Sequence, residues 1–141
     1  YEITYGDWSS DVCSSDLSIK DMKKRLKKHG EIYLTFALEN PEYYNLMFIM
    51  RSPMKKMQEG EEWNAGMKTY DLFRQDVQRA MDEGVLTKTD VNIATFSLWA
   101  ASHGIAALIL RHRCPMLDQN DLPTVAQQAF YSQMKNMGIM K

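Results

Sequence analysis

The chemistry that the sequence offers centres on His103, in a long apolar stretch from Val91 to Arg113. At 3.6 residues per turn, Phe96, Trp99 and His103 fall on one face of a helix. A polar ring among apolar side chains can anchor a ligand, because one or two polar groups fix orientation in an apolar pocket. The alternative is a core histidine that bonds a backbone carbonyl or a tyrosine hydroxyl.

Catalytic constellations are absent from the sequence. It has no HExxH, CxxC, GxSxG or glycine-rich phosphate loop. The three histidines are scattered, and a metal site at His103 would need ligands that the sequence does not place nearby. The carboxylates are expected mostly on polar helix faces. We therefore predict a protein that is not an enzyme, with no cofactor and no metal site.

The first 17 residues resemble a translated sequencing adapter. The run from Asp7 to Leu17, DWSSDVCSSDL, matches such an adapter in one frame without a mismatch, and segments of this kind carry no information about the fold. The alternative is a flexible native tail rich in Ser and Asp. Without this segment, four of the 18 acidic residues are lost, which leaves 14 against 17 basic ones and changes the net charge from −1 to +3.

Length and composition indicate one domain with its own core. A chain of 141 residues with 45% hydrophobic and 25% charged side chains is ordinary for a soluble protein. Eleven methionines favour an adaptable binding surface, and two cysteines give neither a disulfide framework nor metal spacing. The N-terminus shows no secretory signal. The longest apolar run is interrupted by Ser102 and His103, so we expect it to be too short to span a bilayer. A cytoplasmic protein without a membrane span is predicted.

Apolar residues recur at three- and four-residue spacing along the rest of the chain, which predicts helices. Proline, glycine and capping side chains mark their ends, and no strand or internal repeat is predicted. The result is an all-α domain, an orthogonal or antiparallel bundle of about five helices. The predicted helices cover 18–40, 41–50, 61–83, 91–113 and about 121–137, with a connection over 51–60.

The first of these helices carries a basic run. Gly30 also lies inside it, at a propensity cost of about 1 kcal/mol relative to alanine. The usual interpretation of such a run is a solvated helix face, and the other is proximity to a nucleic-acid-binding part outside this chain. The run comprises Lys20, Lys23, Lys24, Arg25, Lys27 and Lys28.

The helix over 91–113 is apolar on almost every side, which is normally the mark of a buried helix. Ala100, Gly104 and Ala107 form a strip of small side chains that lets another backbone approach. We therefore expect one face to serve the subunit and its pocket, and the other to meet a second subunit. The predicted dimer interface comprises Ala94, Leu98, Ala101, Ile105, Leu108, Val125, Ala129 and Phe130.

Two segments resemble one family of regulators. FALENPEYYNLMF, from Phe36 to Phe48, is similar to the junction between the fourth and fifth helices of TetR-type transcriptional regulators. Trp99-x-x-x-His103-Gly104 resembles the W-H-G pattern of one class of TetR C-terminal domains. The resemblance extends over residues 18–138.

The resemblance implies a helical C-terminal domain that binds a small, often hydrophobic effector and forms a homodimer through its last two long helices. Effector binding would shift the helix over 18–40 and change the separation of two DNA-reading heads. The helix-turn-helix would precede residue 18, where the adapter-like segment stands, so this chain would reach DNA only through that missing domain. Residues 18–141 would then be the effector-binding and dimerisation domain, and residues 1–17 an irregular, non-native tail.

Two functions compete at this stage. The first is an effector sensor that binds a small apolar ligand; the second is a ligand-free helical dimerisation module whose aromatic side chains fill the core. A closed core at Trp99 and His103 would favour the second, and a small helical enzyme is the least favoured alternative. The predicted ligand-binding residues are Tyr33, Phe36, Tyr44, Met47, Trp63, Met67, Tyr70, Phe73, Phe96, Trp99 and His103.

Overall fold

The computed structural model describes residues 18–50 and 64–139, and no strand occurs in these two ranges. The all-α prediction is therefore confirmed. Two π-helical segments, Asn45–Ile49 and Lys135–Ile139, continue the second and the last α-helix. The α-helices in these ranges are α1 (Met22–Glu39), α2 (Pro41–Tyr44), α3 (Asn64–Asp82), α4 (Val91–Leu110) and α5 (Leu122–Met134).

Aspartate side chains cap the starts of α1 and α4. The Asp21 carboxylate accepts a hydrogen bond from the Lys24 amide at 3.1 Å, so α1 begins after Asp21 rather than at residue 18. The Asp90 carboxylate accepts from the amides of Asn92 and Ile93 at 2.8 and 3.0 Å. These bonds satisfy amides that have no partner within the first turn of a helix.

The ends of α3 and α4 share one backbone geometry with different residues. Gly84 follows α3 with a φ of 74°, and His112 follows α4 with a φ of 52°. This left-handed conformation is usual for glycine and uncommon for histidine. It ends α4 at Leu110, three residues before the predicted end. The closing bonds run from Gly84 N to Met81 O, Val85 N to Ala80 O, His112 N to Ile109 O and Arg113 N to Leu108 O.

Helix α1 packs against each of the other four α-helices. Its close contact with α5 depends on Gly30, because a Cβ atom at that position would overlap the ring of Phe130. The helix continues through Gly30 without a break. The propensity cost of this glycine thus allows an aromatic ring to reach the α1 backbone.

Three residues predicted for the dimer interface lie in the subunit's own core. Ala94, Leu98 and Phe130 are 2%, 1% and 3% exposed and belong to the main apolar cluster, so they are unavailable to a partner. Periodicity shows that α4 has several apolar faces but not which of them meets α1 and α5. Of the other predicted positions, Ala101, Ile105 and Val125 are half-buried, and Leu108 and Ala129 are exposed.

The outward face of α4 remains apolar and uncovered. Ile93, Phe96 and Leu108 are 64%, 58% and 52% exposed, and a Cβ atom at Gly104 would meet no atom within 4 Å. Together with Ala100 these residues share one side of the helix, at three- and four-residue spacing. We refer to Ile93, Phe96, Ala100, Gly104 and Leu108 as the outward face of α4.

By length and composition α4, which has 20 apolar-rich residues, could cross a membrane. The prediction that no apolar run is long enough is therefore wrong. One such helix is weak evidence, because core helices of soluble proteins satisfy the same test. Two of its polar side chains, Thr95 and Ser102, are buried, and their hydroxyls donate to the Val91 and Leu98 carbonyls at 2.6 and 3.2 Å.

Candidate effector site at the meeting of four helices

A polar stripe runs along α1. Arg25, His29 and Tyr33 follow one another at four-residue spacing, which places them on one side of the helix. Arg25 and His29 bond Asp76 of α3, and we call these three residues the ionic junction. The hydroxyl of Tyr33 bonds His103 of α4.

The hydrogen bonds around His103 join three helices. The hydroxyl oxygens of Tyr33 (α1) and Tyr44 (α2) each lie 3.0 Å from His103 Nδ1. The Tyr44 hydroxyl also lies 3.1 Å from the His103 backbone oxygen, to which it can donate. We call Tyr33, Tyr44 and His103 the aromatic junction.

Burial sets the protonation states in the aromatic junction. It lowers the pKa of His103 below its ordinary value of 6.5, because the charged ring is poorly solvated there. It also raises the pKa of Tyr44 to about 12, with smaller opposing effects from a hydrogen bond with Tyr33 and the charge of Arg111. At neutral pH His103 is therefore uncharged and Tyr44 keeps its proton.

Aromatic rings surround the aromatic junction. The Trp99 ring meets those of Tyr70, Phe96 and Phe48 edge to face, with centroids 5.9, 6.2 and 6.4 Å apart. The His103 ring lies 5.7 Å from Phe48 and 6.2 Å from Trp99. Edge-to-face packing at such distances is favourable for aromatic pairs. Because Tyr70 belongs to α3, side chains from α1, α2, α3 and α4 converge here, with Phe48 from the π-helical segment that follows α2.

The structure brings Tyr33, Tyr44, Tyr70, Phe96, Trp99 and His103 together as predicted. The other predicted ligand-binding residues are placed differently. The Phe73 ring contacts His29 of the ionic junction, with centroids 5.1 Å apart, and Phe36 lines a groove of about 360 Å³ between α1 and Gln127. Met67 is 53% exposed and Met47 is half-buried outside the main cluster, while Trp63 lies outside the described residues.

Phe48 was not among the predicted ligand-binding residues, and it contacts four rings of the site. Its centroid lies 6.0 Å from that of Tyr33 and 5.5 Å from that of Tyr44. The four-residue spacing between Tyr44 and Phe48 was the available signal. Met47 was selected instead, although neighbouring positions in a helix do not share a face.

The ionic junction was also missed. The Asp76 carboxylate oxygen Oδ2 lies 2.7 Å from Arg25 Nε and 2.8 Å from His29 Nε2. Arg25 is 7% exposed, so the expectation of a solvated basic run is wrong for this residue. Asp76 is 6% exposed and is an exception to the expectation that carboxylates lie mostly on polar helix faces. Burial alone would raise the pKa of Asp76, but the bonds from His29 and Arg25 outweigh burial and hold that pKa below its ordinary value of 3.8. The alignment of Arg25 with Tyr33 on one helix face was the only sequence signal.

Metal ligation has no candidate in the described ranges, where no three His, Cys, Asp or Glu side chains are grouped to hold an ion. The one cysteine within residues 18–50 and 64–139, Cys114, is buried and forms no disulfide. The chemistry available at the aromatic junction is therefore hydrogen bonding and apolar contact.

A family model described as "Tetracyclin repressor-like, C-terminal domain" matches residues 26–129. This range includes α3, α4, most of α1 and α5, and both junctions except Arg25. The chain belongs to the TetR family. It carries the C-terminal regulatory domain, which is all-α and belongs to a non-enzymatic family of soluble cytoplasmic proteins. TetR C-terminal domains typically dimerise and bind effectors. No curated protein and no solved structure matches the chain.

Proposed function

We propose that this TetR domain binds a small apolar effector at the aromatic junction and dimerises through α4 and α5. Effector occupancy would control DNA binding by a helix-turn-helix domain that precedes the regulatory domain. The observation that carries the proposal is the convergence of α1, α2, α3 and α4 on one half-buried polar ring, His103. A ligand among these rings would contact α1 and α4 together, so that occupancy could alter how the two helices pack.

The outward face of α4 supports the dimer. Only 28% of the most apolar window of this helix is buried within the subunit. A contiguous apolar surface on a soluble protein usually marks an interaction site. Gly104 and Ala100 would let a partner helix approach closely. Val125 and Ala129 lie on α5, which packs against α4, and are half-buried and exposed, so we include them in the proposed interface.

Effector binding can be tested with the fluorescent apolar probe Nile red and with unlabelled fluorene as a competitor. We expect saturable binding that Trp99→Leu weakens at least about fivefold, because Trp99 contacts four rings of the site. Tyr131→Leu is the matched control, since this half-buried tyrosine on α5 packs against Lys27. Equal binding by the wild type and both variants would place the probe elsewhere and contradict the proposal.

Dimerisation can be tested by sedimentation velocity. The Cβ atom of Gly104→Arg would meet no atom within 4 Å, so we expect this charged side chain to dissociate the dimer without unfolding the domain. Gln78→Arg adds the same side chain at an exposed position of α3 and should leave the dimer intact. A wild-type chain that sediments as a monomer at all concentrations would contradict the dimer.

A ligand-free dimerisation module remains the alternative, and one observation favours it. Both tyrosine hydroxyls already approach His103 Nδ1, as expected for a core histidine. Absence of Nile red and fluorene binding, together with a dimer that Gly104→Arg disrupts, would support this alternative over the effector sensor.

A further inference from the structure

We infer that the effector carries a neutral carbonyl oxygen on a flat apolar body, and that His103 donates a hydrogen bond to this oxygen from Nε2. The inference rests on the proposed function, because it concerns the same site. It goes further by assigning the recognition atom and the chemical class of the ligand.

The hydrogen bonds at Nδ1 of His103 decide which ring nitrogen carries the hydrogen. Two phenol hydroxyls lie 3.0 Å from this nitrogen. A phenol is a better hydrogen-bond donor than acceptor, because its oxygen shares electron density with the ring, whereas an unprotonated imidazole nitrogen is a strong acceptor. The backbone oxygen of His103 can only accept, so it takes the single hydrogen of the Tyr44 hydroxyl. The Tyr33 hydroxyl then donates to Nδ1, and the hydrogen of the neutral ring lies on Nε2.

The nitrogen that carries the hydrogen, Nε2, is the atom that can donate to a ligand. Within residues 18–50 and 64–139 no protein atom forms a hydrogen bond or ion pair with this nitrogen. The His103 ring is half-buried and lies against the rings of Tyr44, Phe48 and Trp99. A donor withdrawn from water without a partner loses free energy that an acceptor on a ligand can restore. In the aromatic junction, Nδ1 of His103 is hydrogen-bonded and Nε2 has no protein partner among the described residues.

The side chains around His103 decide which class of acceptor fits the site. The surrounding rings favour a flat apolar body, which stacks or meets their edges. A carboxylate would be poorly solvated among them, and burial of an unpaired charge is costly. Arg111, whose charge acts on Tyr44, is exposed at the end of α4. A neutral carbonyl accepts one hydrogen bond without that cost.

The probes for the test are two matched pairs: 1-tetralone with tetralin, and 9-fluorenone with fluorene. Each pair differs in one carbonyl group. We expect each ketone to bind the wild type about tenfold more tightly than its hydrocarbon, as one hydrogen bond to an otherwise unpaired donor provides. Imidazole ¹⁵N NMR should show the hydrogen on Nε2 in the free protein and a shift of the Nε2 signal with ketone alone.

Two substitutions separate the two ring nitrogens. His103→Asn keeps an acceptor near the Nδ1 position and removes the Nε2 donor, so the preference for ketones should fall to about twofold or less. His103→Gln keeps a donor near the Nε2 position and should retain most of the preference.

The outcomes distinguish the inference from the proposed function. Equal binding of ketone and hydrocarbon by the wild type, a hydrogen located on Nδ1, or an unchanged preference in His103→Asn would overturn the inference while leaving an apolar effector site in place. Failure of all four compounds to bind would overturn the effector site, and the inference with it.

Discussion

The ionic junction and the aromatic junction lie on the same stripe of α1 but differ in chemistry. At the first, a buried carboxylate receives bonds from Arg25 and His29, and charge is balanced inside the protein. At the second, the groups are neutral, and His103 is bonded at one ring nitrogen. The ionic junction joins α1 to α3 through charged groups, whereas the aromatic junction leaves Nε2 of His103 without a hydrogen bond to the described residues.

This difference follows from the cost of burying each kind of group. An ionised side chain without a partner is too costly in the interior, so a buried charged cluster must be closed to persist. A neutral imidazole with one unpaired N–H costs much less. Neutral polar groups can therefore remain without one of their hydrogen bonds inside a protein. Four experiments test how far the two junctions differ.

The largest expected effect is at the ionic junction. Asp76→Ala leaves Arg25 buried without a partner and should lower the free energy of unfolding by about 3–5 kcal/mol in urea titrations at pH 7. Asp71→Ala on the same helix removes an exposed pair with Arg74 at 3.7 Å and should cost about 0.5 kcal/mol or less. Similar losses for the two variants would show that the ionic junction is no stronger than a surface pair.

A second change tests whether the polar stripe alone holds α1. Gly30→Ala places a Cβ atom against the ring of Phe130, so overpacking should cost about 1–3 kcal/mol in spite of a gain of about 1 kcal/mol in helix propensity. The double variant Gly30→Ala with Phe130→Leu should show a favourable coupling energy, because the smaller side chain relieves the overlap. Additive losses in urea unfolding would refute close packing at Gly30.

A smaller effect is expected at the aromatic junction. Tyr44→Phe removes a hydroxyl that lies near both Nδ1 and the backbone oxygen of His103, and should cost about 0.5–1.5 kcal/mol. Tyr33→Phe should cost less, because the Tyr33 hydroxyl reaches only the first of these two atoms, Nδ1. Thermal or urea unfolding of both variants measures the order, and a greater loss for Tyr33→Phe would reverse the roles assigned to the two tyrosines.

The pH dependence of stability should separate the two junctions by window. Both groups have lowered pKa values in the folded state, so each adds stability above its ordinary pKa that is lost as the pH falls. For His103 the loss begins near its ordinary value of 6.5, and for Asp76 near 3.8.

Urea titrations from pH 8 to pH 3 measure these windows. Relative to the wild type, His103→Asn should flatten the curve below about pH 6.5, and Asp76→Asn should flatten it only below about pH 4. Identical curves for the two variants would show that the groups titrate as one unit.

Much of the fold could be predicted, because apolar spacing, proline and caps act locally. Asp90 begins α4 and Gly84 ends α3, as their chemistry requires. The end of α4 was placed too late, since a histidine at a left-handed position has no reliable sequence signal. Which apolar face of α4 meets the core depends on packing with α1 and α5, so Leu98 was assigned to the wrong surface.

The surroundings of the aromatic junction were predictable in part, because Phe96, Trp99 and His103 follow one another at three- and four-residue spacing on α4. The ionic junction was not, because Arg25 and Asp76 are 51 residues apart and each resembles a surface charge in its own segment. A long-range pair of this kind becomes visible only when the helices are docked.

The spacing of the polar stripe also has a mechanical consequence. Arg25 and Tyr33 are eight residues apart on one helix, a separation of about 12 Å at 1.5 Å per residue. If α1 pivots about its contact with Asp76, a displacement of about 1 Å at Tyr33 tilts the helix by about 5°. The part of the chain that precedes Arg25, toward residue 18, would then move in the opposite direction. Cross-linking distances from residue 18 with and without a bound ketone would measure that swing, and unchanged distances would show that α1 does not pivot.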